Sequence, residues 1–227
     1  MHNEYFIGAF SVDNVIFGFD EGELKVLLIK RKEEPFKNHM ALPGALVNPD
    51  EDLRDAPKRT LKELTGLDNV FLEQVFTFGK VNRHPKGRVI TVAYFSLINI
   101  NSVELVASSF AEEVFWHPIS KIDSLAFDHL EIMKKCFDRL KRNVRTRPIG
   151  FELLPQAFSL SQLQSLYEAV LEKPLDKRNF RKKILSMKIL VDVKKIQKGV
   201  AHRPAKLYRF DHEKYEQFLS EGFSFEI

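Results

Sequence analysis

Residues 142–150 interrupt the pattern of this chain, and any fold must accommodate that break. The stretch holds Arg145, Arg147, Pro148 and Gly150 with little apolar periodicity, the composition of a connection between domains. Before it, apolar and β-branched runs of strand length surround helical repeats; after it come two helical segments and two strand-like runs. A chain of 227 residues, at roughly 100–200 residues per domain, can divide there. We expect one domain over residues 1–145 and another over 146–227.

In the first part, residues 15–19 and 24–31 are apolar runs separated by Asp20, Glu21 and Gly22, which predicts a hairpin. Residues 71–78, 88–98 and 113–116 are further strand candidates. Residues 52–64 place Leu53, Ala56, Leu61 and Leu64 at helical spacing, and 120–125 and 129–141 are also expected to be helical. Sheet and helices in layers, an α+β class with an α/β/α sandwich, is the expected architecture.

The second part opens with Ser159 and Gln162, the spacing of a capping box, followed by Leu160, Leu163, Leu166, Tyr167 and Val170 on one helical face. Asp176 is placed to cap a second helix, with Phe180, Ile184 and Met187 turned inward. Strand-like runs at 189–196 and 205–210 flank a turn at 199–204. Helix, turn, basic helix and hairpin is the order of a winged helix-turn-helix.

Charge follows the same division. From Lys173 to Lys206 there are twelve Lys and Arg against two Asp, so with +4 for the whole chain the remainder carries −6. A basic segment beside an acidic one suits a polyanion partner, although a lone charge run is more often a solvated surface. One cysteine, Cys136, excludes an intrachain disulfide or a multi-thiolate metal site. The N-terminus lacks the pattern of a secretion signal and no apolar run spans a bilayer, so a soluble cytoplasmic protein without a membrane partner is expected.

The segment from Gly44 to Leu67 resembles the Nudix box, G-x5-E-x7-R-E-U-x-E-E-x-G-U, where U is a bulky aliphatic residue. Aligned from Gly66 and Leu67, it gives Arg59 for the Arg, Leu61 for the aliphatic, Glu63 for the first Glu of the pair and Glu51 for the upstream Glu, with one extra residue after Gly44. Leu42-Pro43 before the box, and Phe115-Trp116 followed by Asp123 to His129 after it, extend the resemblance over about the first 140 residues. The family uses its helix carboxylates to hold Mg²⁺ on a pyrophosphate, because hard cations want oxygen ligands. Here Thr60 and Leu64 stand at two of those carboxylate positions. Pro57 is expected to move the helix start towards Asp55. Asp50, Glu51, Asp52, Glu112 and Glu113 are the remaining acids that could compensate. The bland reading of Arg59 and Glu63 is a bracing ion pair, and we favour it: no catalytic residue, metal site or cofactor is expected.

What the resemblance leaves is a ligand-binding domain. Residues 78–94 are similar to the segment that borders the ligand in ADP-ribose-type Nudix domains, commonly R-D-P; here it reads Arg83-His84-Pro85. The candidate effector residues are Lys30, Leu42, Gly44, Phe78, Arg83, His84 and Arg88. The isolated cations among them can equally be surface charge. Loss of the metal carboxylates favours a sugar or sugar derivative, with an ADP-ribose-like nucleotide next.

Residues 153–185 resemble the DNA-binding domain of the Nudix-related transcriptional regulators, which share the run Leu-Asp-Lys-Arg-Asn-Phe-Arg, intact here from Leu175 to Arg181. A recognition helix buries one stripe and offers cations and amides to base edges. Lys177, Arg178, Asn179, Arg181 and Lys182 form that face. Ser159, Ser161, Lys194, Lys195, Lys198, His202, Arg203 and Lys206 are the candidate phosphate contacts. The expected protein is a ligand-responsive regulator that binds a double-stranded DNA operator as a homodimer, since one short helix reads few base pairs. The alternatives are an active Mg-dependent Nudix hydrolase of ADP-ribose or a related nucleoside diphosphate, and a module for RNA or protein. The last lacks the aromatic platform that single-stranded RNA favours.

Overall fold

The computed structural model describes residues 8–107, 111–197 and 204–227. Lys198, His202 and Arg203 therefore lie outside the described residues. The chain forms two compact units: residues 1–18, 25–96 and 102–139 make the first, and 19–24, 97–101 and 140–227 the second.

In the first unit, strands β1 (Ala9–Asp20) and β2 (Glu23–Arg31) make the expected hairpin. Its turn holds Glu21 and Gly22 at positive φ, a conformation glycine adopts without steric cost. β3 (Met40–Ala41), β4 (Gly44–Leu46), β5 (Glu73–Phe78), β6 (Val89–Ile98) and β7 (Ala111–Pro118) complete a seven-stranded sheet in the order β3-β2-β1-β6-β5. β4 pairs with β1 and β7 with β2, both antiparallel.

Val15, Ile16, Phe17, Val26, Leu27 and Leu28 are buried in unbroken runs, so both faces of the central hairpin are covered. Burying each such side chain contributes roughly 1.5–3 kcal/mol. Helix α1 (Ala56–Thr65) starts with Asp55 at its N-cap and Pro57 in its first turn, where a missing amide costs nothing. It ends on Gly66 at φ 76°.

Two expectations change. Residues 120–125 are not an α-helix: a single 3₁₀ turn, Ile119–Lys121, gives way to irregular chain. The Ala126 amide then bonds Met40 O at 2.8 Å, which ties this segment to β3 instead of to a helical turn. Helix α2 (His129–Thr146) also runs five residues beyond Lys141. Leu140 and Val144, four apart and fully buried, continue its apolar face.

In the second unit, α3 (Leu160–Leu171) buries Leu163, Leu166, Tyr167 and Val170 and α4 (Lys177–Ser186) buries Phe180 and Ile184, with the Tyr167 and Phe180 rings 5.5 Å apart. The Ser159–Gln162 capping box and the Asp176 cap form as the residue types predict. β9 (Leu190–Ile196) and β10 (Lys206–Phe210) form the wing hairpin, and β8 (Phe158–Ser159) adds a third strand beside β10. Phe210 stacks on Phe151 at 4.5 Å, closing the core beneath the sheet. Helix α5 (His212–Ser220) follows, capped by the Asp211 carboxylate, which accepts from Lys214 N. Among the described residues no helix is long and apolar enough to cross a membrane.

Candidate effector site and nucleic-acid interface

Helix α1 brings the recognisable part of the Nudix box together around Arg59. Its guanidinium donates to both oxygens of Glu51 at 2.6 and 2.9 Å, to Glu63 Oε2 at 2.9 Å and to Leu46 O at 3.0 Å. The Arg59 hydrogen bonds hold the Glu51 carboxyl below its usual range, and Glu51 in turn pushes the guanidinium pKa up. This is the bracing ion pair, with charge-assisted, fork-like geometry.

The remaining box positions do not fit a divalent cation. Thr60 is fully buried and among the described residues its hydroxyl has no partner, and Leu64 packs with Ile29, Ala41, Ala111 and Ala126. Of the compensating acids, Glu112 and Glu113 pair with Lys30 at 3.2 and 3.4 Å, and Glu51 is held by Arg59. Among the described residues no three His, Cys, Asp or Glu side chains converge as a metal ion requires. With Leu64 apolar, Thr60 a buried hydroxyl, and Glu51 and Glu63 both bonded to Arg59, we derive no metal-dependent step.

A buried polar cluster lies under the segment 42–44. The Leu42 amide donates to His129 Nδ1 at 3.0 Å, and His129 Nε2 faces Asp13 Oδ1 at 3.3 Å. Asp13 Oδ2 accepts from Thr91 Oγ1 at 2.7 Å and lies 3.6 Å from Arg83. Arg83, only 3% exposed at its side chain, forks onto Asp128 at 2.9 and 2.6 Å. Pro43 O accepts from Asn14 N at 2.9 Å, and Gly44 sits where an added Cβ would come 2.2 Å from Asp13 Oδ1. Only glycine fits there.

Of the sequence-derived effector candidates, the structure gathers Leu42, Gly44 and Arg83 around this cluster. His84 joins through Phe127, on which its ring stacks at 5.0 Å and 12°. Its Nδ1 accepts from Lys86 N at 3.2 Å, leaving the proton of the neutral ring on Nε2. Burial lowers the His84 pKa, helped by Arg83, Arg31 and Lys86. Phe127 holds φ 53°, an uncommon conformation for an aromatic residue, with the Arg31 guanidinium 4.9 Å from its ring centre. Lys30 is tied to β7, Arg88 bonds Gly79 O at 2.6 Å, and Phe78 is buried beside Phe76.

Sequence reasoning missed Asp13, Arg31, Phe127, Asp128 and His129. The available signals were Asp13-Asn14, two polar residues between Val12 and Val15 in an otherwise apolar run, and the resemblance of Asp123 to His129 to a Nudix domain, which covers Phe127, Asp128 and His129 without giving them a role.

On α4, Lys177, Arg178, Asn179 and Lys182 are exposed while Phe180 and Ile184 are buried, so the cationic and apolar faces separate as expected. Arg181 is half-buried and donates to Ser161 Oγ at 2.9 Å, joining two candidate contacts across α3 and α4. Lys194 and Lys195 are exposed on β9, and Lys206 reaches Asp192 at 3.4 Å. Ser159 is a correction. It is fully buried, and its Oγ accepts from Gln162 N at 3.2 Å, so its hydroxyl serves the cap and does not face a phosphate.

A Nudix fold followed by a winged helix with an exposed cationic helix face defines a class, the DNA-binding regulators built around a Nudix domain. Family comparison agrees: residues 9–140 match the NUDIX domain and residues 150–210 the NrtR DNA-binding winged helix domain. The chain belongs to the NrtR family of transcriptional repressors. It is 37% identical over 210 residues, 91% of this chain and 83% of the relative, to the ADPR responsive transcriptional repressor NtrR of Acinetobacter baylyi.

The crystal structure of Shewanella oneidensis NrtR complexed with a 27mer DNA matches with a TM-score of 0.72 at 30% identity, over 88% of this chain and 93% of that one. The NUDIX domain of the same Shewanella protein, complexed with ADP ribose, matches with a TM-score of 0.56 at 30% identity, over 62% of this chain and 93% of that one. An ADP-ribose pyrophosphatase of Methanocaldococcus jannaschii is 35% identical over 130 residues, 57% of this chain and 73% of that protein.

Proposed function

We propose that this chain represses transcription by binding operator DNA through α4 and the wing, and that an ADP-ribose-like nucleotide bound by its Nudix domain, without hydrolysis, alters that affinity. The observation that carries the reading is the pairing of an exposed cationic face on α4 with a box helix whose Thr60 and Leu64 offer no metal carboxylate. Similarity to an ADPR responsive repressor and to a NUDIX domain solved with ADP ribose supports the effector. The neutral sugar favoured on sequence grounds gains no support from these relatives. Arg31 and Lys86 supply cations near His84 that suit phosphates without a metal, while Arg83 is committed to Asp128.

The sensing and DNA-binding domains are placed at 1–145 and 146–227, a boundary between the two family matches. A homodimer is the working assembly, because two recognition helices on two half-sites multiply specificity. The cytoplasm, where operator DNA is met, is the proposed location. The effector acts by linkage: it shifts operator affinity only as far as it prefers one state of the protein.

Gel shifts with the protein's own promoter DNA, titrated with ADP-ribose, test this. We expect a specific complex whose midpoint moves with ADP-ribose, and a specific complex lost in Arg178→Ala. Unchanged binding by that variant would sink the DNA reading.

The second reading, a Mg-dependent hydrolase, is favoured by the similarity to an ADP-ribose pyrophosphatase. It requires ADP-ribose turnover with Mg²⁺ that Glu63→Gln abolishes. We expect no turnover from the wild type.

A further inference from the structure

The segment 42–44 opens the box loop and is held by three separate grips: the Leu42 amide on His129, Pro43 O on the Asn14 amide, and Gly44 against the Asp13 carboxylate. Two of these are ordinary neutral contacts or close packing along β1. The third depends on protonation. A histidine nitrogen can accept an amide proton only while it carries none of its own, so the Leu42 bond fixes the neutral ring with its proton on Nε2, facing Asp13. A proton on Nδ1 would point at the Leu42 N–H and replace an attraction by a clash of two donors.

We infer that His129 is the positioning residue of the effector site: its Nδ1 holds segment 42–44 by accepting the Leu42 amide, and uptake of a proton there releases the segment and weakens effector binding. This rests on the reading of the N-terminal domain as the effector domain. It adds a proton-dependent element to that domain and a residue that reaches it from the start of α2.

The charged surroundings are consistent with a ring that stays neutral near physiological pH. His129 is buried, and burial lowers its pKa from the ordinary 6.5. Asp13 on β1 and Asp128 at the head of α2 oppose the shift, while Arg83 from the loop before β6 and Arg31 on β2 reinforce it. Both acids are partly spent: Asp128 is forked by Arg83, and Asp13 accepts from Thr91. With the folded pKa below that of the unfolded chain, the grip is whole above about pH 6.5 and is lost as pH falls through the folded value.

Two near-isosteric substitutions separate the halves of the ring. In His129→Asn the amide oxygen lies at the position of Nδ1, keeps the acceptor for Leu42 and cannot titrate. In His129→Gln the amide nitrogen reaches the position of Nε2, keeps the contact with Asp13 and leaves the Leu42 amide unpaired.

Calorimetric titration of the full-length protein with ADP-ribose, from about pH 7.5 down to the acid limit of the folded state, with hydrogen exchange of the Leu42 amide followed by NMR, reads both. We expect wild-type affinity to fall about tenfold across that range, the scale of one lost buried hydrogen bond. His129→Asn should bind within about threefold of wild type at the upper pH, with a flat profile. His129→Gln should bind about tenfold more weakly at every pH, with faster Leu42 exchange. A flat wild-type profile, or equal losses in the two variants, overturns the inference. Failure of the wild type to bind ADP-ribose at all overturns the effector reading instead, while Leu42 exchange in the two variants still decides whether His129 is the anchor.

Discussion

The residues that define the sensing domain fall into those whose spacing announces them and those that only folding brings together. Glu51, Arg59 and Glu63 are recognisable because a helix and the loop before it put them at fixed intervals, and the structure joins them as an ion-pair brace. Asp13, Arg83, Asp128 and His129 come from β1, the loop before β6 and the head of α2, so no local interval links them. Gly44 belongs to both groups: the box pattern names it, and the Asp13 carboxylate explains it. Gly44→Ala would drive a methyl to 2.2 Å from Asp13 Oδ1 and 2.8 Å from Val12 O, and backbone cannot yield as a side-chain tip can. We expect a loss of about 2 kcal/mol or more, read as a lower urea midpoint at unchanged m-value. Tyr167 is the converse case. Its hydroxyl is buried and has no partner among the described residues, so Tyr167→Phe removes an uncompensated group and should leave stability within about 0.5 kcal/mol of wild type or raise it.

At the scale of elements, legibility tracked how local the stabilising interaction is. α3 and α4 carry their start signals in their own sequence, the Ser159–Gln162 box and the Asp176 cap, and both form. Residues 120–125 have suitable composition but spend backbone groups elsewhere, as the Ala126 amide does on Met40 O, and a helix cannot form without those groups. β3, β4 and β8 are two or three residues long, too short for an alternating pattern to register. α5 too starts at a local signal, the Asp211 carboxylate that caps it. Since Ser159 acts as a cap and not as a phosphate contact, Ser159→Ala should lower thermal stability by about 1 kcal/mol while leaving the salt dependence of DNA binding unchanged. A reduced salt slope in that variant would return Ser159 to the interface.

For the whole molecule the governing fact is the uneven distribution of charge, +10 between Lys173 and Lys206 against −6 elsewhere. Polyanion affinity from such a segment comes largely from released counterions, so it depends on salt in proportion to the phosphates engaged, with a slope of about −0.9 for each on a log–log plot. Lys182, exposed on α4, should contribute about one such unit if it meets a phosphate, and Lys182→Ala should then weaken binding evenly across sequences. Arg178, read as a contact to a base edge, should instead cost the specific complex while leaving salt-dependent binding to unrelated duplex. The same measurement tests the homodimer. A monomer would give one slope on duplexes with one or two half-sites, because it engages one set of phosphates in either case. A dimer placing both α4 helices on DNA should give about twice the slope on the two-site duplex, with affinity well above that of a single site. Fluorescence anisotropy over a salt series with both duplexes separates the outcomes, and equal slopes would remove the homodimer from the proposed mechanism.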